Sequence, residues 1–263
     1  MRGLWLALAA ASLSFGQQRG VVLADLTWVE AEKALRPETV VVIPIGAEAK
    51  EHGPHLKLKT DYLEAEYYKR QILQRADVVV APTVNYSFYP AFVEYPGSTT
   101  LRLETARDML VDICRGLARY GPHRFYALNT GVSTLRALKP AAEMLAADGI
   151  VLRYTDILEV GAEAERRVKQ EAGGTHADEI ETSLMLYIDP VSVDMGKAVK
   201  DYHPAEGGLT RDPHKPGAYS ASGIYGDATL ATREKGEAVA RATVEGMLRE
   251  IEALRRAAAG GGK

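Results

Sequence analysis

Val40-Val41-Val42-Ile43-Pro44-Ile45-Gly46-Ala47-Glu48-Ala49-Lys50-Glu51-His52-Gly53-Pro54-His55-Leu56-Lys57-Leu58-Lys59-Thr60-Asp61 is the stretch on which the reading of this chain turns. Val40 to Ile45 is an uninterrupted apolar run rich in β-branched side chains, the pattern of a strand covered on both faces. Directly after it, Glu48 to Asp61 gathers three acids and two histidines within fourteen residues. Carboxylate and imidazole donors at that density suit a divalent ion such as Zn, Mn or Fe. An ion held there would lower the pKa of water and polarise a carbonyl.

Outward from this stretch, strand and helix patterns alternate. Asp61 to Leu73 has helical spacing, and Asp77 to Ala81 reads as a second buried strand. A helix over Glu104 to Tyr120 places acids early and arginines late, as the helix dipole prefers. A strand over Phe125 to Leu128, a helix over Thr134 to Ala147 and a strand over Ile150 to Tyr154 follow. Ala162 to Glu171 and His176 to Ile188 read as helices, the latter with Thr175 as its cap. Tyr202 to Gly226 reads as a Gly- and Pro-rich ordered loop, and Thr229 to Ala257 as a long closing helix. This rhythm predicts an α/β fold, a three-layer Rossmann-like sandwich with a mostly parallel central sheet. Ligands then belong beyond the carboxyl ends of the strands. No linker divides the chain, so residues 17–263 are expected to form one domain.

Composition narrows the function classes. A net charge of -3 without a basic stripe argues against a nucleic-acid partner. A lone cysteine, Cys114, excludes an intrachain disulfide and sits in an apolar helical pattern as a buried thiol. Arg2, the short apolar run Leu4 to Leu13 and Ser14-Phe15-Gly16 resemble a signal peptide over residues 1–16, implying export to the periplasm or exterior. No other stretch is long and apolar enough to span a membrane.

His52-Gly53-Pro54-His55-Leu56 with Thr60-Asp61 resembles the hallmark of the creatininase family, Glu-Gln-His-Gly-Pro-His-Leu-Pro followed by Thr-Asp. Tyr95-Pro96-Gly97-Ser98-Thr99-Thr100-Leu101 is similar to its Phe-Pro-Gly-Thr-x-x-Leu. His176-Ala177-Asp178-Glu179-Ile180-Glu181-Thr182-Ser183 is similar to its His-Ala-Gly-x-x-Glu-Thr-Ser. Ser222-Gly223-Ile224-Tyr225-Gly226-Asp227 approaches its Gly-x-x-Gly-Asp-Pro. The resemblance implies a metal-dependent amidohydrolase of small cyclic amides or other C–N bonds, commonly a homohexamer. It implies His52 and Asp61 as metal ligands, His176 as the proton shuttle with Glu181 beside it, and Ser87 as a substrate contact.

The chain departs from the pattern in two places. The family's glutamate two residues before the histidine is Lys50 here, so Glu51 or Glu48 would take the ligand role, or the Lys50 ammonium would stand in for the cation and bind substrate. The family's Asn-Gly-His motif is Asn129-Thr130-Gly131-Val132-Ser133, with Gly131 for the histidine and Ser133 for an acid further on. One ion is therefore expected rather than two, unless His55, His203, His214 or Asp212 folds in. The runner-up expectation is an altered family member that binds a small ligand without hydrolysing it.

Overall fold

A computed structural model describes residues 18–257, so the expected signal peptide lies outside the described residues. The chain begins with β1 (Val21–Val22) and α1 (Trp28–Ala34), neither of which the hydrophobic pattern predicts. Thr27 and Glu30 close a capping box at the start of α1. β2 (Val40–Ile45), α2 (Thr60–Arg75), β3 (Val79–Val80), α3 (Leu103–Ala118), β4 (Arg124–Asn129), α4 (Leu135–Ala146) and β5 (Val151–Tyr154) follow. Five strands form one wholly parallel sheet in the order β1-β3-β2-β4-β5. The α/β expectation is met.

β2 is the central strand and is buried at every residue, as its apolar run requires. Alternation splits its side chains between two cores. Val41, Ile43 and Ile45 pack with Leu110, Cys114, Leu138 and Leu145 of α3 and α4. Val40 and Val42 pack with Ala65, Tyr68 and Ile72 of α2 and with residues 244–254 near the C-terminus. Pro44 is tolerated inside a central strand because its carbonyl accepts from Val84, beyond the end of β3. The missing N–H falls in the gap between the last β3 pair, Val42↔Val80, and the Ile45↔Val84 bridge where pairing resumes. Register with β4 runs unbroken from Val40↔Arg124 to Ile45↔Asn129, so both strands end together. The loops that follow them meet at the carboxyl edge of the sheet.

The C-terminal half covers that edge. α5 (Ala162–Val168) and α6 (Glu179–Ile188) precede the loop region, and α7 (Arg233–Arg256) closes the chain against α6 and the sheet. The predicted start of α6 is corrected. The helix begins at Glu179, because the Asp178 carboxylate accepts from the backbone N–H of Ile180 and Glu181, both at 3.0 Å. His176 lies before the helix in an extended segment bridged to Tyr225, and Ala177 between them takes a positive φ of 47°. The Gly- and Pro-rich loop is pinned by two short ladders. β6 (Lys200–Asp201) pairs antiparallel with β9 (Gly226–Asp227), and β7 (Leu209–Thr210) pairs parallel with β8 (Ala218–Tyr219). Among the described residues, no helix is long and apolar enough to cross a membrane.

Candidate active site

The loop after β2 folds back over the sheet edge and buries Lys50, Glu51, His52 and His55. Asp61, in the first turn of α2, meets two of them. The Lys50 ammonium lies 2.8 Å from Asp61 Oδ2, and His52 Nε2 lies 2.8 Å from Asp61 Oδ1. The other ring nitrogen, His52 Nδ1, faces the Lys50 carbonyl at 2.9 Å. His52 Nε2 also lies 3.4 Å from Glu181 Oε1.

His176 arrives from the segment before α6. Its Nε2 faces Glu51 Oε2 at 3.3 Å, and its Nδ1 lies 3.6 Å from Glu181 Oε2. The Glu181 carboxylate accepts from the Ala177 N–H, which fixes it between the two imidazoles. The positive φ at Ala177 is thus where the chain turns to aim His176 and Glu181 at one point. Phe92 packs on His176 with ring centroids 4.4 Å apart and lies under the Lys50 ammonium at 4.9 Å.

Both nitrogens of His52 face acceptors, and this decides its charge. With Nδ1 turned to a carbonyl, Nε2 must either donate to the carboxylates or hold a cation. Burial and the Lys50 ammonium oppose protonation, but Asp61 and Glu181 outweigh them and push the imidazole up to about 9. Burial also works against ionised Glu181, yet His52, His176 and Lys50 hold its carboxyl well below the usual carboxylate range. Asp61 is likewise lowered against burial, chiefly by Lys50 and His52. The ionised pair Asp61 and Glu181 faces one ammonium, so a proton on His52 brings these four groups to neutrality and a divalent ion there would also meet the excess negative charge. Ligand atoms of His52, His176 and Glu181 lie within 4.8 Å of one another. The donor set, with Nδ1 anchored and Nε2 presented, fits a divalent ion.

The other expected residues divide. Glu51 joins the cluster through His176, and its Oε1 accepts from Gly53 N–H at 2.6 Å. Glu48 does not join: it is exposed and accepts from Asn85 at 2.8 Å. Ser87 is buried, with its N–H donating to the Tyr89 hydroxyl at 2.7 Å, and it does not line the cavity beside the cluster. His55 is buried with Nε2 on Thr182 at 2.8 Å, and desolvation lowers it to about 4, so it stays neutral. His203 and His214 are exposed, and Asp212 accepts from the His214 N–H. Gly131 stands beside the cluster: a Cβ there would lie 3.1 Å from Thr134 Oγ1 and 3.8 Å from Asp61 Oδ2.

Beside it lies a cavity of about 240 Å³ walled by Lys50, His176 and Glu181, with Gly131 to Thr134, Tyr89 and Phe92 nearby. Its wall also includes Glu64 and Tyr68 of α2 and Val239 and Thr243 of α7, none of which the motifs pointed to. An acid on the buried stripe of an otherwise amphipathic helix was the available signal for Glu64.

Comparison with known proteins gives the family. A family model described as creatininase, creatinine amidohydrolase, matches residues 24–251. The creatinine amidohydrolase of Pseudomonas putida is 28% identical over 253 residues, covering 87% of this chain and 95% of the relative. The mycofactocin precursor peptide peptidase of Mycolicibacterium smegmatis is 27% identical over 221 residues, covering 81% and 84%. A solved structure described as a manganese creatininase superimposes with a TM-score of 0.75 at 25% identity, covering 89% of this chain and 98% of the other. A creatininase variant described as Zn-Zn type superimposes at 0.72 with 26% identity, over 88% and 97% of the two chains. This chain belongs to the creatininase family of amidohydrolases.

Proposed function

We propose that this protein hydrolyses a C–N bond in a small amide with one divalent ion, and that Lys50 fills the second positive place. The observation that carries this is His52, whose Nδ1 is fixed on a carbonyl while Nε2 points into carboxylates. His52 and Glu181 would hold the ion beside His176, with Asp61 next to His52 as the further carboxylate, and the ion would supply an activated water and a polarised carbonyl. Lys50 keeps Asp61 ionised and directed at the cluster. His176, backed by Glu51, moves the proton from the attacking water to the leaving nitrogen. Phe92 shields His176 on one ring face, and the cavity of about 240 Å³ suits a small cyclic amide better than a peptide.

The test is metal analysis of purified protein together with turnover of a panel of cyclic amides, with and without EDTA. The proposal expects a divalent ion near one per chain, activity lost with EDTA, His52→Ala losing ion and activity, and His176→Ala retaining more ion than activity. Undiminished turnover in metal-free protein overturns it. A second reading, a ligand-binding protein without hydrolysis, is favoured by Lys50, which already neutralises Asp61 without any ion. Ligand binding with EDTA present and no turnover on any amide supports it.

Export rests on the N-terminal apolar run, and terminal sequencing of secreted protein beginning near Gln17 would support it. Assembly into a homo-oligomer rests on the family resemblance and is read by sedimentation of the purified protein.

A further inference from the structure

α2 carries two polar side chains in the cavity wall that the ion cluster does not use. Glu64 is 3% exposed and Tyr68 is 0% exposed. Glu64 Oε1 finds no hydrogen-bond partner among the described residues, and the Tyr68 hydroxyl has none within full hydrogen-bond geometry, facing only the Thr243 hydroxyl. Buried polar atoms without partners are costly, and each calls for an explanation. These two lie on the face of α2 that also carries Asp61. At the rise of an α-helix they stand about 4.5 and 10.5 Å along the axis from it. Thr243 of α7 adds a third buried oxygen to the same wall, among Ile180, Leu184 and Val239.

The surrounding charge favours one kind of ligand. The wall carries Glu64, Glu165, Asp178 and Glu181, and among the described residues Lys50 is the one lysine or arginine lining it, with His176 the one imidazole. That ammonium is already engaged by Asp61 at 2.8 Å. A carboxyl and two hydroxyl oxygens in an apolar surround match the three N–H donors of an ammonium group.

We propose that Glu64, Tyr68 and Thr243 form a recognition pocket for a primary ammonium group on the substrate, which sets the scissile C–N bond against the His52 cluster. The placement of the scissile bond rests on the hydrolytic reading; the ammonium pocket does not. Burial, with Glu181 and Asp61 nearby, holds the empty Glu64 carboxyl well above its ordinary range. The arriving cation takes over the place of that proton.

The probes are butylammonium and butan-1-ol, of equal size and inert to hydrolysis, titrated calorimetrically into the metal-loaded protein. The wild type is expected to bind butylammonium about tenfold or more tighter, the scale of a charge-assisted hydrogen bond. Glu64→Gln should bring the two probes together while keeping its metal, and Tyr68→Phe should weaken butylammonium alone. Equal binding of the two probes by wild type overturns the pocket, as does an unchanged preference in Glu64→Gln. Butylammonium that binds the metal-free protein and is displaced when Zn is added lies at the cluster and also overturns the pocket. Turnover of 3-aminopiperidin-2-one against piperidin-2-one separates the two proposals. Hydrolysis of both without amine preference sinks the pocket alone. Ammonium selectivity without hydrolysis of any amide sinks the hydrolytic reading alone.

Discussion

Replacing Lys50 with Met tests how far the site depends on an internal cation. The Lys50–Asp61 pair is separated by 2.8 Å with side chains 7% and 2% exposed. At an effective dielectric near 20, two unit charges at that distance attract by about 6 kcal/mol, before the cost of desolvating them is set against it. Removing one partner from such a pair leaves a buried charge and commonly costs about 3–5 kcal/mol. His52 remains beside Asp61, so the lower end of that range is expected at neutral pH. At ~2–4 °C per kcal/mol for a chain of this size, Lys50→Met should melt on the order of 10 °C lower in EDTA. A divalent ion supplies positive charge at the same carboxylates, so saturating Zn should raise the variant's Tm more than the wild type's. Urea and thermal unfolding with and without Zn measure both quantities. A loss below about 1 kcal/mol in EDTA, or equal Zn stabilisation of the two proteins, would refute the reasoning.

Three further predictions follow from the same geometry. His52 is raised from 6.5 to about 9 in the metal-free protein, so its stabilisation is complete below pH ~6.5 and is lost as pH rises through 9. Loading Zn at pH 7.5 should therefore release protons, and calorimetry in buffers of different ionisation enthalpy should show that release shrinking above pH 9; a pH-independent proton count contradicts it. Asp178→Ala removes the α6 cap and should cost about 1–2 kcal/mol in urea unfolding, with a larger proportional loss of metal affinity because Glu181 sits in the same turn. Cys114 is buried, and desolvation pushes its thiol up to about 12, so a thiol reagent should modify it only at the rate of unfolding; prompt labelling of native protein would contradict that burial.

The sheet was legible because β2 and β4 must be apolar on both faces, and a run such as Val40 to Ile45 has few other readings. The cluster was legible in part. His52, Asp61, His176 and Glu181 converge as their motifs imply. The choice between Glu48 and Glu51 depended on how the loop turns, and spacing alone carries no such information. Thr175 and Asp178 are both capping residues, and only the Asp178 carboxylate, reaching two N–H groups, settles where α6 begins. α1 passed unread although Thr27 and Glu30 spell its capping box, because the helix buries none of its residues fully. Glu64 passed unread because its meaning depends on α6 and α7, far away in sequence.

The order of assembly has a consequence for the cell. All five strands of the sheet are complete by Tyr154, whereas Glu181 and the wall residues of α7 lie later in the chain. Domains fold as units, and the core under Val40 and Val42 takes residues from α7, so the sheet is covered on that face only once the C-terminal helix arrives. Before α6 is made, His52 and Asp61 are present without Glu181 to join them. On the metal-dependent reading, tight capture of an ion waits for Glu181 and the C-terminal helix, and a nascent or truncated chain would scavenge little metal.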